Sequence, residues 1–116
     1  EHSYELVESD GELQAMLKVL KKHKEISFDT ETTAIDANEA ELVGMSFSIE
    51  KGTGYYVPMP EKKLAVEEKL ASLKSLFDDE SITWIGHNTK YDLLVLKWYG
   101  VQFKGKIFDT LLAHYL

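Results

Sequence analysis

Two acidic residues follow an apolar strand pattern in the first third of the chain. Ile26 and Phe28 alternate with polar neighbours, a pattern that predicts a strand. Asp29 and Glu31 stand at its end, separated by one residue, so both carboxylates project from one face about 7 Å apart. Because like charges repel, such a pair favours a bound cation or a proton on one acid. The alternative is a strand that ends in a solvated acidic turn, since Asp-x-Glu is a common tripeptide.

A third carboxylate, Asp92, lies in a strand, glycine and helix pattern that runs from Trp84 to Asp92. Asn88 is a typical N-cap for that helix, and Asp92 follows one turn later on the same side. Because neighbouring parallel strands bring their carboxyl ends to one edge of a sheet, we expect Asp92 to reach Asp29 and Glu31. Carboxylate oxygens suit Mg²⁺ or Mn²⁺, which keep positions for water and phosphate.

Length and composition limit the class of protein. The chain has 116 residues, 44% of them hydrophobic and 28% charged, which suits one ordinary globular domain. It contains no cysteine, which excludes disulfides and thiolate metal sites. No apolar run approaches the roughly 20 residues that span a bilayer, and no signal-peptide pattern opens the chain. We therefore expect a cytoplasmic protein without membrane contact.

The net charge of −7 argues against a broad basic surface that holds nucleic acid. It leaves a nucleic-acid enzyme open, because an acidic cleft loaded with divalent cations can receive a phosphate group.

Strand and helix patterns alternate along the chain in the order β-α-β-β-β-α-β-α-β-α. This order predicts an α/β sheet with flanking helices, antiparallel on its hairpin side and parallel where helices cross over. Besides the strand before Asp29, the predicted strands are Tyr4–Val7, Leu42–Ile49, Tyr55–Val57, Ile82–Ile85 and Ile107–Phe108. The predicted helices follow the capping box Ser9–Glu12, span Glu61–Phe77, run from Asn88 to Gly100, and begin at Thr110 with Asp109 as a cap.

Apolar residues at helical spacing predict which side of each helix faces the core. These inward residues are Leu13, Met16, Leu17 and Leu20, then Val66, Leu70, Leu73 and Phe77, and finally Tyr91, Leu94, Val95 and Trp98.

Two segments carry a resemblance to a known family. Phe28-Asp29-Thr30-Glu31-Thr32 and Gly86-His87-Asn88-Thr89-Lys90-Tyr91-Asp92 are similar to the first two motifs of the 3′–5′ proofreading exonuclease domain of bacterial family A DNA polymerases, in the DEDD superfamily. Segments 42–49 and 108–115 also resemble that domain, in the same order along the chain. The resemblance implies an RNase H-like fold that removes nucleotides from single-stranded DNA 3′ ends by two-metal hydrolysis, in DNA replication and repair.

The resemblance also implies roles for single residues. Asp29 would bridge two divalent cations, Mg²⁺ or Mn²⁺, Glu31 would hold the cation on the nucleophile side, and Asp92 would support the second cation through water. The residues implied to contact the terminal nucleotides are Thr32, Ile35, His87, Asn88 and Tyr91. Each has a structural alternative: a cap for the threonine and the asparagine, core for the isoleucine and the tyrosine, and an ordinary strand-end polar residue for the histidine.

The family's third motif, Tyr-x-x-x-Asp, is expected beyond Leu116. We therefore expect residues 1–116 to be the N-terminal portion of one incomplete exonuclease domain, with weak metal affinity, little or no nuclease activity and a polymerase domain elsewhere in the parent chain. Apolar surface left by the missing C-terminal part predicts self-association. Two alternatives stay open: an exonuclease of the same superfamily that trims RNA 3′ ends, and a non-catalytic scaffold, against which the three acids weigh.

Overall fold

Six strands form one mixed sheet in the computed structural model, which describes residues 3–33, 40–50 and 52–113. The strands are β1 (Ser3–Leu6), β2 (Glu25–Thr32), β3 (Leu42–Ser48), β4 (Thr53–Pro58), β5 (Thr83–Gly86) and β6 (Lys106–Asp109). The helices are α1 (Asp10–Leu20), α2 (Lys63–Ala71), α3 (Lys74–Phe77), α4 (Thr89–Trp98) and α5 (Thr110–Ala113). Within the described ranges, none of these helices has the length and apolar character needed to cross a bilayer.

The strands lie side by side in the order β1-β4-β3-β2-β5-β6. β2, β3 and β4 form an antiparallel meander, while β5 and β6 add in parallel beside β2 and β1 pairs in parallel with β4. This arrangement confirms the predicted mixed α/β sheet. It also places the ends of β2, β5 and β6 along one edge, where those predicted site residues that the structure describes lie.

The two faces of β2 have different surroundings. Ile26, Phe28 and Thr30 are buried, and the residues between them are exposed. The buried side packs on an aromatic cluster in which Trp84 stacks on Phe103, with ring centroids 4.5 Å apart. We call this side the covered face. The other side, which carries Ser27, Asp29 and Glu31, is the open face.

The predicted helix Glu61–Phe77 is wrong in its extent, because the structure has two helices, α2 and α3, in its place. The break lies at Ser72, whose hydroxyl donates to the carbonyl of Lys69, and at Leu73, which leaves helical geometry with φ −101° and ψ 7°. The turn leaves Leu73 fully buried, so the predicted inward positions of this segment are nevertheless confirmed.

The predicted inward face of α4 is wrong at two positions. Leu94 and Trp98 are 50% and 64% exposed, and Leu96 and Tyr99 are buried instead. The reason is that two polar residues of α4, Thr89 and Asp92, are buried. The helix face that carries them points inward, so Leu94 and Trp98 point outward. The exposed Trp98 ring is covered in part by an ammonium group, Lys63 Nζ, 4.1 Å from its centroid.

Two glycines allow a matched test of this packing. A Cβ added at Gly105 would lie 2.0 Å from the Ile82 carbonyl oxygen and 3.1 Å from the Asp79 carbonyl oxygen, and these backbone atoms have little freedom to move. Gly105→Ala is therefore expected to lower the free energy of unfolding by about 1–3 kcal/mol. Gly11→Ala, with nothing nearer than Ser9 Oγ at 3.9 Å and a helical backbone, should raise it by about 0.5–1 kcal/mol. Urea denaturation followed by circular dichroism measures both, and equal effects of the two substitutions would contradict this account.

Candidate active site

Asp29 and Glu31 project together from the open face of β2, as their spacing predicts. Neither forms an ion pair with any described residue. Loss of surrounding water raises the pKa of Asp29, and a hydrogen bond from the Thr30 amide and the charge of His87 offset this only in part. In the described ranges, the two carboxylates therefore form an exposed acidic pair that no lysine neutralises at ion-pair distance.

Tyr56 of β4 lies beside this pair, although no sequence pattern singled it out. Its hydroxyl occupies the space that a side chain at Gly44 would fill, 2.0 Å from the ideal Cβ position. Because Gly44 is the direct cross-strand partner of Glu31, the phenol reaches toward that carboxylate. Burial and then the charge of Glu31 raise the pKa of Tyr56. The phenol therefore stays protonated beside Glu31.

Asp92 reaches β2 from the covered face. Its Oδ1 accepts a hydrogen bond from the Thr30 hydroxyl, and the residue is only 4% exposed. The other oxygen, Oδ2, is buried and has no hydrogen-bond partner among the described residues. The pKa of Asp92 is raised to about 6. Burial is the main cause, the charges of Asp29 and Asp109 add to it, and the hydrogen bond from Thr30 opposes it.

The three acids thus approach the end of β2 from two sides. Asp29 and Glu31 lie on the open face, whereas Asp92 is held by the residue between them on the covered face. In the described ranges, no three acidic or histidine side chains already form a group that could enclose a metal ion. Asp92 is near enough for its pKa to respond to Asp29. The direct meeting of all three acids therefore stays a prediction.

Asn88 is not the side-chain cap that the sequence predicts. Its backbone is left-handed, with φ 63° and ψ 52°, and its side chain makes no capping hydrogen bond to α4. An N-cap residue ordinarily has an extended backbone, from which its side chain can reach the first amides of the helix. The amides at the start of α4 find their acceptor elsewhere.

That acceptor is Asp109, at the end of β6. Its Oδ1 accepts from the Asn88 amide at 3.0 Å, and its Oδ2 accepts from the amide and hydroxyl of Thr89 at 2.9 and 2.8 Å. Oδ1 also accepts from the Leu111 amide at 2.9 Å, which confirms Asp109 as the cap of α5. Burial alone would raise the pKa of Asp109, but the bonds from Thr89, Leu111 and Asn88 prevail and lower it to about 2.

His87 is exposed at the end of β5, and its ring is held by the residue after Asp109. His87 Nδ1 lies 3.0 Å from Thr110 Oγ1, and that hydroxyl donates to the Gly86 carbonyl at 3.2 Å. The charge of protonated His87 lowers the pKa of Asp29, which places the ring near the acidic pair.

Two other predicted substrate residues touch each other. The hydroxyl groups of Thr32 and Tyr91 lie 2.6 Å apart in a hydrogen bond that joins the end of β2 to the first turn of α4. Ile35 lies outside the described residues. The structure therefore brings Thr32 and Tyr91 together, and the roles of both stay predictions.

Comparison with known proteins gives the family. A model of the 3′–5′ exonuclease family matches residues 4–116. The chain belongs to the 3′–5′ exonuclease family. It is 36% identical over its full length to the DNA polymerase I of Pseudomonas aeruginosa and 36% identical over 97% of its length to that of Borreliella burgdorferi. The predicted membership among polymerase I exonuclease domains is confirmed. The chain spans 14% and 13% of these two relatives.

Solved structures show the fold of this exonuclease chain. Ribonuclease D from Trypanosoma brucei, in complex with RNA U12, superposes with a TM-score of 0.78 at 16% identity, over 95% of this chain and 38% of that one. Ribonuclease D from Escherichia coli gives a TM-score of 0.68 at 22% identity, over 92% and 27%. These neighbours have the RNase H-like fold, so the predicted fold class is confirmed.

Four residues at this candidate site were not predicted to belong to it: Thr30, Tyr56, Asp109 and Thr110. Thr30 lies inside the first motif, and the last two lie in a segment that resembles the family. The roles of Asp109 and Thr110 depend on strand pairing, because the parallel contact of β5 with β6 sets Asp109 beside Gly86. A single sequence indicates that β6 exists but not which strand it joins.

Proposed function

We propose that this chain hydrolyses the terminal phosphodiester of single-stranded DNA 3′ ends, as part of the proofreading exonuclease of a DNA polymerase I. Support comes from the family match and from relatives that are polymerase I enzymes. The observation that carries the proposal is the end of β2. Asp29 and Glu31 are exposed there and form no ion pair with a described residue, and Asp92 Oδ2 is buried without a described partner. Uncompensated carboxylates of this kind cost free energy unless a cation joins them.

The donor set fits two divalent cations, Mg²⁺ or Mn²⁺, because all three side chains offer hard oxygen atoms. Asp29 and Glu31 would hold the cations directly, and Asp92 would act through water, in keeping with its place on the covered face. Bound cations neutralise phosphate charge and make a water molecule more acidic. The Tyr56 phenol lies beside Glu31, and the Thr30 hydroxyl holds Asp92 Oδ1.

The terminal nucleotides would lie along the ends of β2 and β5. His87 and Asn88 project there before α4, and the bonded hydroxyls of Thr32 and Tyr91 border the same edge. The role of Ile35 against the bases, implied by the family resemblance, is part of the same proposal.

RNA is the second candidate substrate. One structural neighbour, ribonuclease D of Trypanosoma brucei, is in complex with RNA. That neighbour is 16% identical to this chain, whereas the Pseudomonas polymerase I is 36% identical, so we favour DNA. A scaffold without catalysis is the third candidate. Cation binding that depends on Asp29 would argue against it, and no cation binding would argue for it.

The parent protein would carry a polymerase domain and supply the third motif beyond residue 116. In that case residues 1–116 would be the N-terminal portion of an incomplete domain. The location of the parent protein in the cytoplasm stays a prediction. Exposed Tyr4 and Leu6 lie on β1 and exposed Phe108 lies on β6, at the two opposite edges of the open face, and these apolar side chains support the expected self-association. Sedimentation equilibrium tests it: a monomer at high concentration would contradict it.

Titration of Mn²⁺ into the 116-residue chain, followed by calorimetry, tests the proposed site. The unsubstituted chain is expected to bind, and Asp29→Asn to weaken binding at least about tenfold because a charged ligand is lost. Glu25→Gln is the matched control, since Glu25 lies exposed on the same face of β2 about 13 Å away. A Mn²⁺ affinity that Asp29→Asn leaves unchanged, or that Glu25→Gln lowers equally, would refute the site.

Hydrolysis of a single-stranded oligonucleotide completes this test. We expect little or none from the 116-residue chain, because its sequence contains no Tyr-x-x-x-Asp. Substantial hydrolysis that Asp29→Ala abolishes would show that the site is complete without that motif.

A further inference from the structure

Asp109 and Thr110 contact the loop of residues 86–89 from end to end. Thr110 binds the Gly86 carbonyl and the His87 ring, and Asp109 binds the backbone amides of the two residues that follow. The contact arises because β5 and β6 run in parallel with Gly86 opposite Asp109. Neither Asp109 nor Thr110 is one of the residues for which the family resemblance implies a role in the reaction.

Thr110 fixes which nitrogen of His87 carries a proton. A threonine hydroxyl has one hydrogen, and here it points to the Gly86 carbonyl oxygen. Thr110 Oγ1 must then accept from His87, so Nδ1 is the protonated nitrogen of the neutral ring. Nε2 is then left as the acceptor of the neutral ring, and the ring lies near enough to Asp29 for its charge to lower the pKa of that carboxyl.

Asp109 fixes the backbone on which His87 and Asp92 depend. Its two oxygens accept four hydrogen bonds, three of them from Asn88 and Thr89 at the start of α4. Those bonds hold Asn88 in a left-handed conformation, which asparagine adopts more readily than most L residues. Asp92 lies in the first turn of the helix that begins there.

We propose that Asp109 and Thr110 are positioning residues of the exonuclease site: Thr110 orients His87 with Nε2 free toward the substrate, and Asp109 holds the left-handed loop and the start of the helix that carries Asp92. The proposal rests on the proposed function. Neutral Nε2 accepts a hydrogen bond from a hydroxyl or base N–H of the terminal nucleotide. The pair therefore acts on the reaction through His87 and Asp92 without touching the substrate.

Nitrogen NMR of the 116-residue chain tests the role of Thr110 without activity. At a pH about two units above the ordinary histidine pKa of about 6.5, the His87 spectrum is expected to show a proton on Nδ1. Thr110→Ser should keep this tautomer, and Thr110→Val should lose it. Thr53→Val is the matched control, because Thr53 is an exposed β-sheet threonine outside the site. The same His87 tautomer in all four proteins would overturn the proposal.

Amide hydrogen exchange tests the role of Asp109. An asparagine amide offers one acceptor oxygen where Asp109 uses two, so Asp109→Asn must lose at least one side of the contact. Exchange at Asn88 and Thr89 is expected to become about tenfold faster or more. The Glu12 amide, capped by Ser9 in α1, should stay unchanged, which separates local loosening from global unfolding. Unchanged protection of Asn88 and Thr89 would refute the role of Asp109.

Nucleotide binding connects these residues to the reaction. Thymidine 5′-monophosphate with Mg²⁺ is expected to shift the His87 Nε2 resonance in the unsubstituted chain and in Thr110→Ser, and to bind about fivefold more weakly to Thr110→Val. Equal affinity for Thr110→Val and Thr110→Ser would overturn the positioning role. If the unsubstituted chain binds no nucleotide, the proposed function fails, and the tautomer and exchange results still decide on Thr110 and Asp109.

Discussion

The Asp92→Asn variant is expected to unfold less readily than the unsubstituted chain at pH 7, by about 1–3 kcal/mol, while binding divalent cations more weakly. Burial and nearby carboxylates raise the pKa of Asp92 to about 6, so at pH 7 the fold carries a buried charge that it disfavours. Asparagine has nearly the same shape without the charge. It can still accept the hydrogen bond from Thr30.

The pH dependence gives the sign of this effect. An unfolded aspartate has a pKa near 3.9, so between about pH 4 and pH 6 the folded chain holds a proton at Asp92 that the unfolded chain has lost. The stability that this proton contributes is present below pH 4 and disappears as pH rises through 6. The advantage of Asp92→Asn should therefore grow from pH 4 to pH 7 in urea denaturation. A difference that stays constant with pH would contradict the buried charge.

Asp109→Asn is the control of opposite sign. The pKa of Asp109 is lowered to about 2, because the hydrogen bonds from Thr89, Leu111 and Asn88 favour its charged form over the cost of burial. Its stabilising effect is therefore present above the ordinary aspartate pKa and is lost as pH falls toward 2. Asp109→Asn should destabilise the chain at pH 7, where Asp92→Asn stabilises it. Two substitutions of one type with opposite results would exclude a general effect of net charge.

Cation binding connects stability to the proposed chemistry. A ligand that binds only the folded state stabilises it, by about 2.7 kcal/mol at one hundred times its dissociation constant. Saturating Mn²⁺ should therefore stabilise the unsubstituted chain and reduce or reverse the advantage of Asp92→Asn. Such a result would mean that the unpaired carboxylates lower the free energy of unfolding of the cation-free chain because they are arranged to bind a cation.

The sequence predicted the site in part. The two-residue spacing of Asp29 and Glu31 fixes a common face for any strand, and the structure has both on the open face. The order of strands and helices in the sequence predicts that Asp92 lies at the same edge of the sheet. It contains no information about the face of the sheet from which α4 approaches. The contact with Thr30 depends on α4 lying against the covered face, a tertiary feature.

The errors in α4 have one physical origin. Apolar periodicity favoured Leu94 and Trp98 as inward residues, because a pattern method treats buried Thr89 and Asp92 as unfavourable. The structure accepts that burial since Thr89 is bonded to Asp109 and Asp92 to Thr30. The cap of α4 was missed for a related reason: local preference favours Asn88, and the actual acceptor lies about twenty residues later in the chain.

Trp84→Ala is expected to lower the free energy of unfolding by about 3–5 kcal/mol, which is a large part of the stability of a domain this size. Trp84 is fully buried at the centre of the covered face. Its ring stacks on Phe103 and contacts Phe28, Phe47 and Phe77 at centroid distances between 5.8 and 6.2 Å. Alanine would leave a cavity bounded by aromatic rings that belong to several elements and have little freedom to close it. Urea denaturation followed by circular dichroism measures the loss.

Trp84→Phe should cost much less, about 0–2 kcal/mol, and it keeps the test informative if the alanine variant does not fold. The indole Nε1 is buried without a hydrogen-bond partner among the described residues, so phenylalanine removes an unsatisfied donor as well as volume. A cost for phenylalanine close to that for alanine would contradict this account of the indole N–H. Since Gly86 and His87 follow Trp84 directly on β5, the same packing holds the strand from which the loop to Asp92 departs. Trp84→Phe should therefore bind Mn²⁺ like the unsubstituted chain, because the loop keeps its own contacts with Asp109 and Thr110.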